Sequence, residues 1–253
     1  MPDFAFRAAS ITAHGPALWT PSLLTDRLAL WLDAAHAASV PGPITRWADR
    51  SGQGYDAVQN NADLRPTWRH DPVRGRGMIR FEEQDMEVPN IGLAAELSAF
   101  WVMAPDARAA SNAYPIYLFL DGANFSGQGR KPLIHGSSGD PDSLSTQIGN
   151  VEISHVTTPG VMQIGGIVSR VGQVESALNG ATPVVQTHQT SLTASGASGR
   201  IGALTSLCEW CELIVVAGSI SEVERQRVEG YLAHRWSCAN LLPPSHPYAG
   251  AAP

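Results

Sequence analysis

Short apolar runs separated by turn-forming residues recur along most of this 253-residue chain, and this spacing constrains its fold more than any other feature. Gly, Pro, Asn, Asp and Ser stand between the runs at short intervals, and such clusters mark turns between strands. We predict strands at residues 28–32, 44–47, 78–81, 99–103, 116–120, 145–148, 161–167, 172–178 and 213–216. The pattern predicts an all-β fold, and a single β-sandwich of this length is common.

Charge and hydropathy argue against two classes of function. The net charge is −6, and the Lys and Arg residues are scattered singly rather than gathered into a basic face that would release counterions from phosphates. No apolar run is long enough to cross a bilayer. We therefore expect neither nucleic-acid binding nor membrane insertion. The N-terminal residues also lack the basic start and continuous apolar stretch of a secretory signal, which favours a protein that is not exported by the general route.

One amphipathic helix is predicted near the C-terminus. Ser221 can cap the free amide groups, and Glu222 and Glu224 fall in the first turn, where negative charge is favoured. Apolar residues then recur at helical spacing, at Val223, Val228, Tyr231, Leu232 and Trp236. We expect this stripe to pack on the sandwich and the charged side chains to face solvent, namely Glu224, Arg225, Arg227 and Arg235.

The three cysteines include a CxxC motif, Cys208 to Cys211, with Cys238 further along. An odd count argues against a full disulfide framework. A zinc site would need two more ligands, and no second CxxC or HxxxH is present. A redox CxxC normally lies at the start of a helix, whereas this one precedes a strand-like run. We interpret the cysteines as small buried residues.

The residues at both ends of the chain resemble LamG-like jelly-roll domains of the concanavalin A-like lectin/glucanase superfamily. The N-terminal resemblance rests on Leu30-Trp31-Leu32-Asp33-Ala34, on Trp47-Ala48-Asp49-Arg50-Ser51-Gly52-Gln53-Gly54, and on Ile79-Arg80-Phe81. The C-terminal resemblance rests on residues 228–236, followed by Leu242-Pro243 and His246-Pro247-Tyr248. It implies a concanavalin A-like β-sandwich, in which Trp31, Trp47, Phe81 and Trp236 are core anchors.

The resemblance also implies a function and a domain organisation. Domains of this kind occur in tailed-phage and gene-transfer-agent spikes or fibres and in bacterial surface proteins, where they recognise glycans or build adhesive appendages. We expect the jelly roll at residues 27–240, a C-terminal tail at 241–253, and an N-terminal arm at 1–26. The arm is rich in Ala, Pro, Thr and Ser with isolated apolar residues, so it is a candidate for attachment and oligomer contacts, or it packs along its own domain.

An enzymatic alternative comes from the glucanases of the same superfamily. Glu83, Asp85 and Glu87 have the ExDxE spacing in which alternate strand residues direct carboxylates to one face, one as nucleophile and one as general acid. Gln84 departs from the family pattern, which has an apolar residue there. The segment also falls where the LamG-like relatives have a turn. We therefore interpret these carboxylates as turn residues and expect no enzyme activity.

The long loops of the middle segment are the candidate ligand-binding surface. Asp140 and Asp142 could bind calcium, but two carboxylates are too few to define a metal site, and a Pro-Asp turn explains them equally well. The alternative for the whole set is an ordinary polar loop. The residues that could offer planar hydrogen-bonding groups or an aromatic face to a sugar are Tyr114, Tyr117, Asp121, Asn124, Arg130, Asp140 and Asp142.

We accordingly expect a non-catalytic glycan-binding or receptor-binding component, a spike or fibre, on the surface of a phage-like or gene-transfer-agent particle assembled in the cytoplasm. Its expected partners are cell-surface polysaccharide, other particle proteins contacted through the arm, and further copies of itself. No cofactor or metal is expected. A bacterial surface adhesin or carbohydrate-binding module is the first alternative, and a glucanase that uses Glu83 and Glu87 is the second.

Overall fold

Two antiparallel sheets packed face to face form the body of the protein in a computed structural model. The structure describes residues 18–92, 96–106, 117–119, 133–137, 140–148, 151–187, 197–202 and 207–253. Its strands are β1 Leu28–Asp33, β2 Gly42–Pro43, β3 Arg46–Trp47, β4 Ala57–Val58, β5 Thr67–Asp71, β6 Arg76–Glu82, β7 Asp85–Val88, β8 Leu97–Pro105, β9 Tyr117–Phe119, β10 Leu133–Ser137, β11 Asp140–Ile148, β12 Val151–Val156, β13 Gln163–Arg170, β14 Gln173–Leu178, β15 Val184–Thr187, β16 Gly199–Gly202 and β17 Leu207–Ala217. One α-helix, α1, spans Glu222–Arg235, and short 3-10 helices span Pro21–Arg27, Ala34–His36, Ala62–Leu64 and Ala239–Leu241.

The strand order defines two antiparallel sheets and confirms the predicted all-β sandwich with one C-terminal helix. In sheet A the order is β15-β14-β13-β8-β17-β6-β5-β2, and β1 pairs with β17 beside β6. In sheet B the order is β12-β11-β10-β9-β16-β7-β4-β3. Each predicted strand overlaps an observed one, although β2, β4, β5, β7, β10, β12, β15 and β16 were not predicted. No helix in the described part of the chain is long and apolar enough to span a membrane.

The hydrophobic core, which lies both between the sheets and beneath helix α1, contains the aromatic side chains that the sequence predicts as core anchors. Trp47, Phe81 and Trp236 are fully buried, and Trp31 is 7% exposed. Trp101 covers Gly165 across the β8–β13 pair, where any Cβ would overlap the indole ring. Gly165 and Gly166 therefore lie in the middle of a strand, where the missing side chains make room for the rings of Trp101 and Phe100.

Helix α1 covers part of the outer face of sheet A, over β8 and β13. Its N-terminus has the predicted cap, because Ser221 and Glu224 form a reciprocal capping box. Three side-chain predictions were wrong, however. Arg235 does not face solvent, because its side chain is 19% exposed and pairs with the buried Asp33 and Glu212. Val223 is 54% exposed, and Arg225 is buried, with its Nη1 atom donating to both carboxylate oxygens of Glu229 (2.7 and 2.9 Å). The spacing of apolar residues could not predict the burial of Arg225, because that burial depends on Glu229, its ion-pair partner one turn later on the same helix face.

A bulge in β17 changes which face of sheet A its glutamates occupy. The register between β17 and β8 shifts between Trp210 and Glu212, at Cys211. In a regular strand, residues three apart point to opposite faces, but the extra residue of a bulge restores the same face. Glu209 and Glu212 consequently both lie on the outer face of sheet A. Glu209 contacts Arg69 and Arg80, whereas Glu212 lies beneath α1.

The two ends of the described chain meet on this same side of the sandwich. The Trp19 N–H donates a hydrogen bond to the Pro253 carbonyl (3.0 Å), and the Trp19 ring packs edge-on against Tyr231. Leu242 and His246 of the C-terminal segment are buried against the domain. Residues 18–26 and 241–253 thus pack on the domain, while the proposed oligomer contacts of the arm remain a prediction.

Candidate functional site

The chain passes from sheet A to sheet B through Glu83 and Gln84, and the strand ends around this turn form the best candidate site. We call this region the crossover end. Glu83 has a positive φ of 66°, so the reversal is tight. Gly202, with a φ of 77°, lies directly beneath the turn, since a Cβ there would be 2.5 Å from both the Gln84 carbonyl oxygen and the Phe81 ring. Only glycine fits both the backbone conformation and the space.

A polar groove of about 350 Å³ opens on the sheet A side of the crossover end. We call it the crossover groove. Its lining residues come from β5, β6, the turn after β6, and the residue that follows β8, and they are Thr67, Arg69, Arg80, Glu82, Gln84 and Asp106. The β5–β6 hairpin and the turn that follows it thus build one concave surface together with Asp106, because β17 alone separates β8 from β6 in sheet A.

Charged side chains fill the floor of the crossover groove in an interlocked arrangement. Arg80 pairs with Glu82 (3.2 Å), with Asp106, and with Glu209 (3.7 Å). Arg69, which is 52% exposed, also pairs with Glu209. Two guanidinium groups therefore meet three carboxylates, and the floor carries one excess negative charge. Such planar groups present paired donors and paired acceptors at fixed spacing, which suits the adjacent hydroxyls of a sugar.

A second polar cluster lies on the sheet B side of the crossover end, centred on Asp85. The Gln59 Nε2 atom donates to the Asp85 carboxylate at 2.6 Å, and Arg200 Nη1 lies 3.0 Å from the other carboxylate oxygen. Burial raises the pKa of Asp85, and the charge of Arg200 acts against that rise. Glu87 and Arg200 are cross-strand partners that extend this polar surface along the outer face of sheet B.

The structure places three of the predicted ligand-binding residues near the crossover end. Tyr117 begins β9 opposite His135 of β10, and Asp140 pairs with Ser137 at the start of β11. Asp142 lies two residues further along β11 and is exposed. Because β16 ends at Gly202 beside the first residues of β9, all three lie at the same end of sheet B as Asp85. The described residues include no group of three or more His, Cys, Asp or Glu that could hold a metal ion.

The remaining predicted residues, Tyr114, Asp121, Asn124 and Arg130, lie outside the described residues. Tyr114 belongs to the stretch that begins after Asp106 of the crossover groove. The other three belong to the stretch of sequence between β9 and β10. Ligand binding by this set remains a prediction.

The glucanase alternative requires the three carboxylates of the ExDxE segment to lie on one face of a strand. They do not. Glu83 lies in the crossover turn, outside β7, in a left-handed conformation. Only Asp85 and Glu87 alternate correctly along the strand. The turn prediction is therefore right for Glu83 and wrong for Asp85 and Glu87, which lie in β7, Asp85 being buried. Because Glu83 lies outside the strand, the regular alternation that would direct it to the same face as Glu87 is broken.

The CxxC motif is buried within β17, in agreement with its interpretation as small core residues. Cys208, Cys211 and Cys238 form no disulfide and are all buried. Burial raises the pKa of Cys208 and Cys238 to about 12, and burial together with the nearby Cys238 raises the pKa of Cys211 well above its ordinary value. None of the three thiols is activated as a nucleophile.

Sequence reasoning missed the crossover groove, although one signal pointed to it. Glu209 and Glu212 interrupt an otherwise apolar strand, and a buried carboxylate in such a run requires partners. The partners of Glu209, however, come from β5 and β6, which no local pattern connects to β17.

Comparison with known proteins supports the fold. No protein-family model and no curated protein matches this sequence. Similar solved structures include the binding domain of Paraclostridial Mosquitocidal Protein 1 (TM-score 0.62, 11% identity, 84% of this chain covered), Trypanosoma rangeli sialidase in complex with sialic acid (0.54, 12%, 81%), and the botulinum neurotoxin serotype D/C VPI 5993 binding domain (0.53, 13%, 83%). The matches span 55%, 32% and 53% of those chains, respectively. At this identity the likeness shows that the chain has a β-sandwich fold of the kind found in these proteins.

Proposed function

We propose that this protein is a non-catalytic module that binds a glycan or a glycan-bearing receptor through the crossover groove. The observation that carries the proposal is the groove itself, in which Arg69, Arg80, Glu82 and Asp106 present planar charged groups on a concave surface of a rigid sheet. Sites built on strands hold their polar groups in fixed positions, which lowers the entropic cost of binding.

Two further observations support binding rather than catalysis. Glu82, Asp106 and Glu209 each pair with Arg80, and Glu209 pairs with Arg69 as well, so none of these carboxylates is isolated as an acid or a base. The toxin structures that share this fold are themselves binding domains, according to their descriptions. The sialidase that shares this fold is named as an enzyme, so the fold alone does not distinguish a binding module from an enzyme.

The biological setting that we propose is the spike or fibre of a phage-like or gene-transfer-agent particle. The resemblance of both chain ends to LamG-like domains of such particles supports it. In this setting the crossover groove touches host polysaccharide, and the arm at residues 1–26 contacts other particle proteins. A bacterial surface adhesin uses the same binding chemistry and differs in where the protein is found.

Glycan binding is tested on an array of bacterial polysaccharide fragments with the full chain and three variants. Arg69→Ala and Glu82→Gln change exposed groove residues without opening the core. We expect each to weaken binding about tenfold or more, because a charged hydrogen bond contributes about 1.5–3 kcal/mol. Arg227→Ala, an exposed arginine on α1, is the matched control and keeps wild-type affinity. Unchanged binding in both groove variants would reject the groove as the site.

The setting and the absence of catalysis need separate measurements. Immunogold labelling of purified particles with an antibody to this chain is expected to decorate their surface, and protein found only free in the cytosol contradicts the particle assignment. Incubation with the polysaccharide that binds best is expected to release no reducing sugar. Sugar release that Glu87→Gln abolishes would instead support an enzyme.

A further inference from the structure

A second cavity, of about 340 Å³, lies between helix α1, the turn after β14 and the C-terminal segment. We call it the tail cavity. Its volume is close to the lower limit for small-molecule pockets, which is the scale of one sugar unit. It is lined by Gly180, Ala181, Thr182, Pro183, Glu222, Arg225, Gln226, Pro243, Ser245 and His246.

The back wall of the tail cavity is a buried, charge-balanced triad. The side chains of Arg225, His246 and Glu229 are 7%, 2% and 1% exposed. Glu229 accepts two hydrogen bonds from Arg225 and lies 3.2 Å from His246 Nε2. The His246 Nδ1 atom accepts a hydrogen bond from the backbone N–H of Tyr248 (3.2 Å). The positive charge of Arg225 is therefore already neutralised by Glu229.

The mouth of the cavity offers hydrogen bonds and one negative charge. Glu222 is exposed there, 3.9 Å from Arg225 Nη2, and Gln226 Nε2 donates to Glu222 at 3.3 Å. Thr182 and Ser245 add hydroxyl groups, which both donate and accept. Pro183 and Pro243 supply apolar surface that can cover the C–H face of a ring. An anionic ligand would face Glu222 without an unpaired cation to balance it.

We infer that the tail cavity binds one uncharged sugar unit, a neutral hexopyranose, at a position separate from the crossover groove. This rests on the proposed glycan-binding function and deepens it. The two sites belong to different parts of the outer face of sheet A, so a polysaccharide that reaches both is bound by two weak contacts whose effects multiply. The chemistry of the cavity selects neutral units and rejects uronates.

The test is a titration of the ¹⁵N-labelled full chain with methyl α-mannoside, methyl β-galactoside, methyl β-glucoside and methyl β-glucuronide. At least one neutral glycoside is expected to shift the backbone amide signals of Thr182, Gln226 and Ser245 at millimolar concentration. The glucuronide is expected to bind about tenfold more weakly or worse, because like charges meet at Glu222. Equal or tighter glucuronide binding, or no shift with any neutral glycoside, overturns the inference.

Substitutions in the cavity separate this inference from the proposed function. Ser245→Trp is expected to fill the cavity and abolish the shifts, and Gln226→Ala is expected to weaken binding several-fold. Ser39→Ala and Gln53→Ala, at exposed positions outside the cavity, are the controls and leave the titration unchanged. If Arg69→Ala abolishes polysaccharide binding while the cavity shows no sugar, the tail-cavity inference fails and the proposed function stands. If no glycan binds anywhere, both fail.

Discussion

Asp33 of β1 and Glu212 of β17 lie directly opposite each other in sheet A, and Arg235 of helix α1 contacts both buried carboxylates. Glu212 also accepts hydrogen bonds from Trp31 (2.7 Å), Tyr231 (3.0 Å) and Trp236 (2.6 Å). The N-terminal and C-terminal motifs that carry the LamG-like resemblance therefore converge on one buried carboxylate. Trp31, Asp33, Arg235 and Trp236 thus hold the first strand, the last strand and the helix together.

The buried pair makes stability depend on pH in a defined direction. Burial, followed by the charge of Asp33, raises the pKa of Glu212 to about 7 from an ordinary value of 4.5. The folded state thus binds a proton more tightly than the unfolded state, so stability falls as the pH rises from about 4.5 to 7. We expect Glu212→Gln to remove much of that slope in urea unfolding measured across this range. Glu222→Gln, at an exposed position, is expected to keep it, and an unchanged slope in Glu212→Gln contradicts the assignment.

Replacing one indole that binds Glu212 should cost stability without changing the fold. Trp236→Phe keeps the ring but leaves Glu212 Oε2 without its donor at 2.6 Å. A buried polar atom that loses its partner typically costs about 1–3 kcal/mol, to which the smaller ring adds a cavity cost. Denaturant unfolding at neutral pH measures the loss. An exposed substitution such as Arg227→Ala is expected to change stability by less than about 0.5 kcal/mol.

Gly165→Ala tests the contact between Gly165 and Trp101. The new methyl group would overlap the indole ring, and overpacking a tight core typically costs about 1–3 kcal/mol. Gly250→Ala is the matched control, because nothing lies within 4 Å of a Cβ there. A thermal melt distinguishes them: the midpoint should fall for Gly165→Ala and stay near that of the wild type for Gly250→Ala. Equal melting midpoints for Gly165→Ala and Gly250→Ala would show that the Trp101 ring is not in contact with Gly165.

Gly202→Ala should affect both stability and binding. The Cβ would displace the carbonyl of Gln84, which is one of the crossover groove residues, and the positive φ adds backbone strain. Gly75→Ala has a similar φ of 64° with open space around it, so it shares the strain but not the displacement. We expect both variants to be destabilised and only Gly202→Ala to lose glycan affinity. Full affinity in folded Gly202→Ala would separate the turn from the site.

The thiols provide a simple check of the β17 interior. All three cysteines are buried and the pKa of each is raised, so the reactive thiolate is scarce and shielded. A disulfide reagent such as 5,5′-dithiobis(2-nitrobenzoic acid) should react slowly with the native protein and with three thiols per chain in denaturant. Rapid reaction of Cys208 or Cys211 in the native state is incompatible with the strand as described.

The sequence was sufficient for the fold class because the relevant signals are local or recur at fixed spacing. The apolar runs at 99–103 and 213–216 became central strands, and Trp47 and Trp236 became core residues. Strands such as β5 and β12 were missed because they carry exposed polar residues on one face and too few apolar residues on the other. A short half-buried strand is defined by its neighbours in the sheet more than by its own composition.

The sites were harder to predict because their geometry depends on long-range packing. The crossover groove requires Arg69, Arg80 and Asp106 to meet, which depends on the order of strands in sheet A. The positions of Glu209 and Glu212 depend on a bulge at Cys211 that no spacing rule reveals. Arg225 appears solvent-facing on a helical wheel, and its burial follows only from the position of Glu229 and His246 in the folded chain.

The hydrogen bond between Trp19 and Pro253 holds these two residues together at one end of the domain, away from the crossover groove. Both residues border Arg76, at the start of β6, whereas the crossover turn follows the far end of the same strand. Seven residues of strand separate the two places, which is roughly 20 Å. A carrier protein attached near either residue would hold the domain at one end, and the crossover groove would lie at the other end, facing away from the carrier.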